Sequence, residues 1–170
     1  MKVILYMGIT PNGLIAKKDD SADFLTKEEL LNYVAVVSQS GALVVGRRTY
    51  EVLSKGSEFR EFLEAGVKII AVSHNDFKLL SASHSIAHSP KEALELLRNF
   101  KTVIVAGGGV LNASFLSENL VDEMYLDIEP TLLGKGIPLF NGLDFEKKLE
   151  FIDSKKITDN EIQLHYKVIK

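Results

Sequence analysis

Short apolar runs alternate along the chain with stretches in which apolar residues recur every three or four positions. Val3 to Met7, Ala42 to Val45, Val67 to Val72, Thr102 to Ala106 and Met124 to Ile128 read as strands, the first two unbroken by any polar residue. Between them, Thr26 and Glu29 form a capping box that predicts a helix with Leu30, Leu31, Val34 and Val37 on one face. A helix through Phe59, Phe62 and Leu63 is expected to stop at Gly66, and Ser89-Pro90 opens another carrying Ala93, Leu94, Leu96 and Leu97. Val110 to Glu118 follows as the last helix. Leu149 to Ser154 and Glu161 to Val168 flank a polar turn at Thr158-Asp159-Asn160, and Ile162, Leu164, Tyr166 and Val168 alternate with polar residues. The pattern predicts one α/β domain over residues 1–170, with a mostly parallel sheet finished by an antiparallel C-terminal hairpin.

Composition narrows the chemistry. A chain of 170 residues with 46% hydrophobic and 25% charged residues can bury a core without staples. The net charge of −3 offers no footprint for nucleic acid or an anionic membrane. The absence of cysteine excludes disulfides, thiolate chemistry and cysteine-based zinc sites. His84 and His88 have helical spacing but lie in a stretch read as extended, so no metal site is expected. The N-terminal apolar run is too short for a signal-peptide core or a membrane span, and a cytoplasmic protein is expected.

Two turns carry the candidate chemistry. Gly107-Gly108-Gly109 ends a strand and opens a helix, which presents unpaired N–H groups at the positive end of a helix dipole. Without Cβ atoms, a pyrophosphate can approach that backbone closely. Gly46-Arg47-Arg48-Thr49 ends another strand and adds two guanidiniums, whose charge and bidentate geometry suit a phosphate monoester. Thr49 offers a hydroxyl and an N–H at a helix start. Ser73 and His74, after the next strand, are candidates for the same pocket. A Rossmann fingerprint is the competing reading: Gly107 and Gly109 fit, with Asp127 as the acid, but Asn112 stands at the third glycine position.

These segments, together with Ile9-Thr10-Pro11-Asn12-Gly13-Leu14-Ile15-Ala16 and Pro130-Thr131-Leu132-Leu133-Gly134-Lys135-Gly136, resemble the dihydrofolate reductase-like superfamily over nearly the whole chain. That superfamily includes dihydrofolate reductase and the reductase domain of riboflavin biosynthesis. The resemblance implies a three-layer α/β fold and an NADPH-dependent reductase of a pteridine- or pyrimidine-type substrate. It implies that Arg47, Arg48 and Ser73, with His74, read the 2′-phosphate. Gly46, Thr49 and Gly107 to Gly109 would hold the pyrophosphate with Val110 and Leu111 nearby, and Gly8, Ile15 and Ala16 would border the nicotinamide. Similarity to the riboflavin-type branch implies a homodimer, whereas folate enzymes are often monomeric.

Reduction of an imine or carbonyl also needs a proton, so an acid is expected near the nicotinamide. Glu29 matches the folate enzymes' acidic residue by position, and its capping-box role explains it equally well. Asp23 and Asp20, in the loop after Ala16, are the alternatives. Phe24 and Asp127 stand where folate enzymes carry tryptophan and threonine, and neither the basic segment that binds ribose phosphate nor a fused deaminase with its zinc signature is found. Three readings follow: a riboflavin-type reductase, dihydrofolate reductase, or a nucleotide-binding protein without turnover.

Overall fold

The computed structural model describes the whole chain, Met1–Lys170. It begins with β1 (Lys2–Ile9), β2 (Leu14–Ala16), α1 (Lys27–Ser40), β3 (Ala42–Gly46), α2 (Arg47–Leu53) and α3 (Ser57–Glu64). There follow β4 (Lys68–Val72), β5 (Ser85–Ala87), α4 (Pro90–Leu96), β6 (Thr102–Val105) and α5 (Gly109–Ser117). The last part comprises β7 (Glu123–Ile128), β8 (Ile137–Pro138), β9 (Leu149–Lys156) and β10 (Ile162–Val168).

Eight strands form one sheet in the order β5-β4-β3-β6-β1-β7-β10-β9, and β2 pairs with β8 separately. From β5 to β7 every pairing is parallel; β10 runs antiparallel to β7 and to β9. The expected parallel sheet and closing hairpin are therefore present. One core packs α4 and α5 on one face through Ala93, Leu97, Leu111, Phe115 and Leu116. The other packs α1, α2 and α3 through Val37, Tyr50, Phe59 and Phe62. Both faces are covered over most of the sheet, which is why β1 and β3 read as unbroken apolar runs. At the β9 edge this cover ends, and all eight residues of that strand are exposed.

The helix ends follow the residues that mark them. The Thr26 hydroxyl accepts from the Glu29 N–H at 3.1 Å, and Gly41 closes α1 in the left-handed region with its N–H on the Val37 carbonyl. Ser89 caps α4, with Pro90 in its first turn.

One expectation needs correction. The buried stripe of α1 runs through Glu29 and Val37, with Tyr33 between them half-buried, while Leu31 points to solvent. A carboxyl thus occupies a core position of the helix, and apolar periodicity alone misses it. The arginine turn opens α2, in keeping with the helix start read at Thr49.

Candidate active site

In the sheet β3 and β6 are parallel neighbours, so their C-terminal ends emerge side by side. The ladder continues past both strands: Ala106 N–H donates to the Val44 carbonyl at 3.0 Å and Gly46 N–H to the Gly107 carbonyl at 2.7 Å. A Cβ on Gly46 would stand 3.6 Å from the Gly108 nitrogen, and one on Gly108 would stand 3.4 Å from the Thr49 Oγ1. The arginine turn and the glycine turn therefore form one surface. Helices α2 and α5 both open onto it, and the N–H groups of Gly108, Gly109, Val110 and Leu111 make no hydrogen bond within the chain. Gly107 has φ of +89°, a conformation that favours glycine.

The third glycine has a different task. A Cβ on Gly109 would overlap the Pro138 carbonyl oxygen, and Asn141 N–H donates to the Gly109 carbonyl at 3.1 Å. Asn112 Nδ2 donates to the Leu139 carbonyl at 3.0 Å. Gly109 and Asn112 together clamp the segment after β8 onto α5, which accounts for the Asn112 that breaks the Rossmann spacing. Val110 is exposed and Leu111 is buried.

The two arginines line a shallow depression of about 460 Å³ with Asp20, Glu51, Val52 and Lys55. Arg47 Nε donates to Glu51 at 2.9 Å, and its guanidinium carbon lies 5.1 Å from the Phe77 ring centroid. Arg48 Nε donates to Asp20 at 2.5 Å. Ser73 follows β4, one strand from Gly46, with its hydroxyl donating to the Asn75 carbonyl at 2.7 Å. His74 beside it is exposed.

A second cluster lies on β1, β7, β10 and the start of α1. The Glu29 carboxyl packs on Gly8: a Cβ there would be 3.1 Å from Oε1, and 2.6 Å from Leu25 Cδ2. The capping box is only half formed, because the Thr26 N–H donates to Glu129 at 3.2 Å rather than to Glu29. This leaves Glu29 buried, with Oε2 lacking any partner. Around it, Tyr6 donates its hydroxyl to Asp127 at 2.5 Å, Gln163 donates to the other Asp127 oxygen at 2.7 Å, and the Thr26 hydroxyl donates to Glu161 at 2.9 Å. Burial, then the charges of Asp127, Glu129 and Glu161, push the Glu29 carboxyl up to about 8. Burial also raises Asp127, against the lowering effect of its two donors, and raises Glu129, with Glu161 adding to the rise. Glu29 therefore keeps its proton at neutral pH and can donate it.

Clusters and turns are contiguous. A Cβ on Gly107 would meet the Met7 Cε at 3.3 Å and Ile15 Cδ1 at 4.0 Å, and Gly8 follows Met7 on β1. The structure thus brings together Gly8, Ile15, Gly46, Thr49, Gly107, Gly108 and Glu29, with buried Ala16 beside Ile15 on β2. Asp23 stands apart: it is 65% exposed and pairs with Lys17 at 2.6 Å. Tyr6, Glu129, Glu161 and Gln163 went unsingled in the sequence, although Glu123, Tyr125, Asp127 and Glu129 alternate with apolar residues through β7. That alternation marks a polar sheet face, and the strand order puts its far end under α1.

Residues 1–163 match the model of the RibD C-terminal domain. The chain belongs to that family. YwjB of Bacillus subtilis strain 168, an uncharacterised protein, is 28% identical over 170 residues, covering 97% of each chain. The crystal structure of a protein ascribed to riboflavin biosynthesis in Shewanella sp. PV-4 superposes with a TM-score of 0.79 at 24% identity, over 100% of both chains. A diaminohydroxyphosphoribosylaminopyrimidine deaminase/5-amino-6-(5-phosphoribosylamino)uracil reductase from Thermotoga maritima gives a TM-score of 0.71 at 17% identity. There 99% of this chain covers 56% of the longer one. These likenesses establish the dihydrofolate reductase-like fold of the RibD reductase domains, and none of the helices is long and apolar enough to cross a membrane.

Proposed function

We propose that this protein is an NADPH-dependent reductase of a pyrimidine- or pteridine-type heterocycle, of the riboflavin-biosynthesis kind. One observation carries the reading: two strand-end turns with free helix N–H groups adjoin a buried carboxyl that lacks a partner on one oxygen, across Met7 and Gly8. Donor chemistry on the first side fits a phosphorylated dinucleotide. The backbone of Gly108 to Leu111 and the Thr49 hydroxyl would hold the pyrophosphate, and Arg47 and Arg48, with Ser73 and His74 after the neighbouring strand, would meet the 2′-phosphate. When bound, such a cofactor supplies a hydride.

The chain's own residues supply the rest. Glu29, protonated at neutral pH, would give its proton to the reduced atom of the substrate, directly or through one water. Asp127, held by Tyr6 and Gln163, keeps its oxygens fixed beside it. This acceptor-rich cluster would suit a heterocycle with ring N–H and amino donors, as an aminopyrimidine has. Purified protein mixed with NADPH and either the ribosylaminopyrimidinone phosphate or dihydrofolate tests the proposal through absorbance near ~340 nm, the reduced nicotinamide band. Oxidation of the pyrimidine mixture is expected. Tight NADPH binding without oxidation of either would overturn it in favour of a nucleotide-binding protein.

A further inference from the structure

The Arg48–Asp20 pair is not an ordinary surface contact. Asp20 sits in a left-handed conformation with φ of +70°, uncommon outside glycine. Its side chain is only 21% exposed against 70% for Arg48, and the pair ties together residues 28 apart in sequence. Residues 17–25 are a self-bonded unit: Lys17 N–H donates to the Ser21 carbonyl at 2.8 Å, Leu25 N–H to the Ala22 carbonyl at 3.0 Å, and Lys17 pairs with Asp23. Two contacts fasten this unit to the candidate site. One is Asp20 on Arg48; the other is Leu25 on Gly8, where the cofactor reading puts the nicotinamide.

Charge in the depression sharpens the point. Arg47, Arg48 and Lys55 face Asp20 and Glu51, three cations against two carboxylates. A phosphate monoester brings about −1.5 to −2 charges. Seated beside both carboxylates, it would leave the depression net negative. With Asp20 withdrawn, the charges balance, and the three phosphate oxygens offer Arg48 a better bidentate partner than one carboxylate.

We infer that Asp20 is a specificity-determining residue that holds the place of the cofactor's 2′-phosphate, so that a 2′-phosphorylated nucleotide, by displacing it, unfastens residues 17–25 from the site. Resting on the cofactor assignment, the inference adds a consequence that assignment lacks. The loop over Gly8 yields to NADPH and stays closed to NADH, and discrimination comes from an internal competitor as well as from attraction.

Asp20→Asn is the decisive variant, because asparagine also tolerates the left-handed region and the backbone is kept. Binding of adenosine 2′,5′-bisphosphate and of adenosine 5′-monophosphate is measured by calorimetry for wild type, Asp20→Asn and Arg48→Ala, alongside amide hydrogen exchange over residues 18–25. Asp20→Asn is expected to bind the bisphosphate about 3- to 10-fold more tightly, the range open to a partly exposed ion pair, and to bind the monophosphate unchanged. Its residues 18–25 should exchange faster without any ligand, and in wild type the bisphosphate alone should speed them. Equal bisphosphate affinity in wild type and Asp20→Asn, with Arg48→Ala still losing the preference, would overturn the inference and leave the cofactor assignment standing. Failure of both nucleotides to bind any of the three proteins would overturn both.

Discussion

The glycine–arginine corner and the acid cluster lie on neighbouring strands of the same sheet, yet they are built in opposite ways. The corner is local and wet: Gly46 to Thr49 and Gly107 to Leu111 are continuous segments at strand ends, and the arginines are mostly in solvent. The acid pocket is dispersed and dry, with Tyr6, Glu29, Asp127, Glu129 and Glu161 drawn from both ends of the chain and all buried. Cations in the corner pair with carboxylates within reach of solvent and can exchange those partners for a ligand at modest cost. Carboxyls in the pocket are desolvated and crowd one another, which stores proton affinity at the expense of stability. A site for recognition and a site for proton chemistry make different demands on the fold.

The contrast breaks most visibly at Glu29. Glu29→Gln should lower kcat by about 10²- to 10⁴-fold at pH 7 with little change in NADPH affinity, measured by steady-state kinetics and fluorescence titration. Wild-type kcat should fall as pH rises through about 8, where the carboxyl loses its proton. An unchanged rate in the variant would remove the acid pocket from the chemistry.

The same substitution should raise stability. The folded carboxyl keeps its proton up to about 8, whereas its ordinary value is 4.5. Between these values the native state binds more protons than the unfolded state, so stability falls as pH rises across that window. Removing the group should flatten the decline and stabilise the protein at pH 8 by a few kcal/mol, on the order expected for so large a shift. Urea midpoints from pH 5 to about 8 check the sign. A Glu29→Gln protein less stable than wild type at pH 8 would show that the carboxyl is a structural partner.

Tyr6→Phe sharpens the picture next. It leaves one Asp127 oxygen without its donor and should cost about 1–3 kcal/mol in a denaturant titration. Smallest is the corner: Arg47→Ala should weaken NADPH about 10-fold, near 1.4 kcal/mol, and NADH hardly at all, by titration of both cofactors. Equal weakening of the two would separate Arg47 from the 2′-phosphate.

This division also explains what could be read from residues alone. Parallel strands, capped helices and the closing hairpin are written in local periodicity and turn chemistry, and so is the corner. Neighbouring strands β3 and β6 then bring its two halves together. The pocket depends on pairings over long separations. Asp127 meets Gln163 only because β10 inserts beside β7, and Thr26 meets Glu129 only because α1 folds over that strand. Polar alternation in β7 looks like a solvent face until the strand order is known. Glu29 reads as the closer match and Asp23 as its alternative, and burial is what sets the two apart in the fold. That Gly109 must also be a glycine to pack against the Pro138 carbonyl is invisible in the sequence, because the same letter serves tight packing and ligand approach.

Strand β10 follows β9 in the chain and yet sits inside the sheet, between β7 and β9. Glu161 and Gln163 lie some way beyond both segments of the corner, Gly46 to Thr49 and Gly107 to Leu111. During synthesis on the ribosome, the corner's segments therefore emerge long before the acids can be sealed from water. A chain cut short ahead of residue 161 keeps its glycine and arginine turns, but bares the edge of β7 to pairing with other nascent chains. Translational arrest in that window should yield aggregates rather than a smaller working protein.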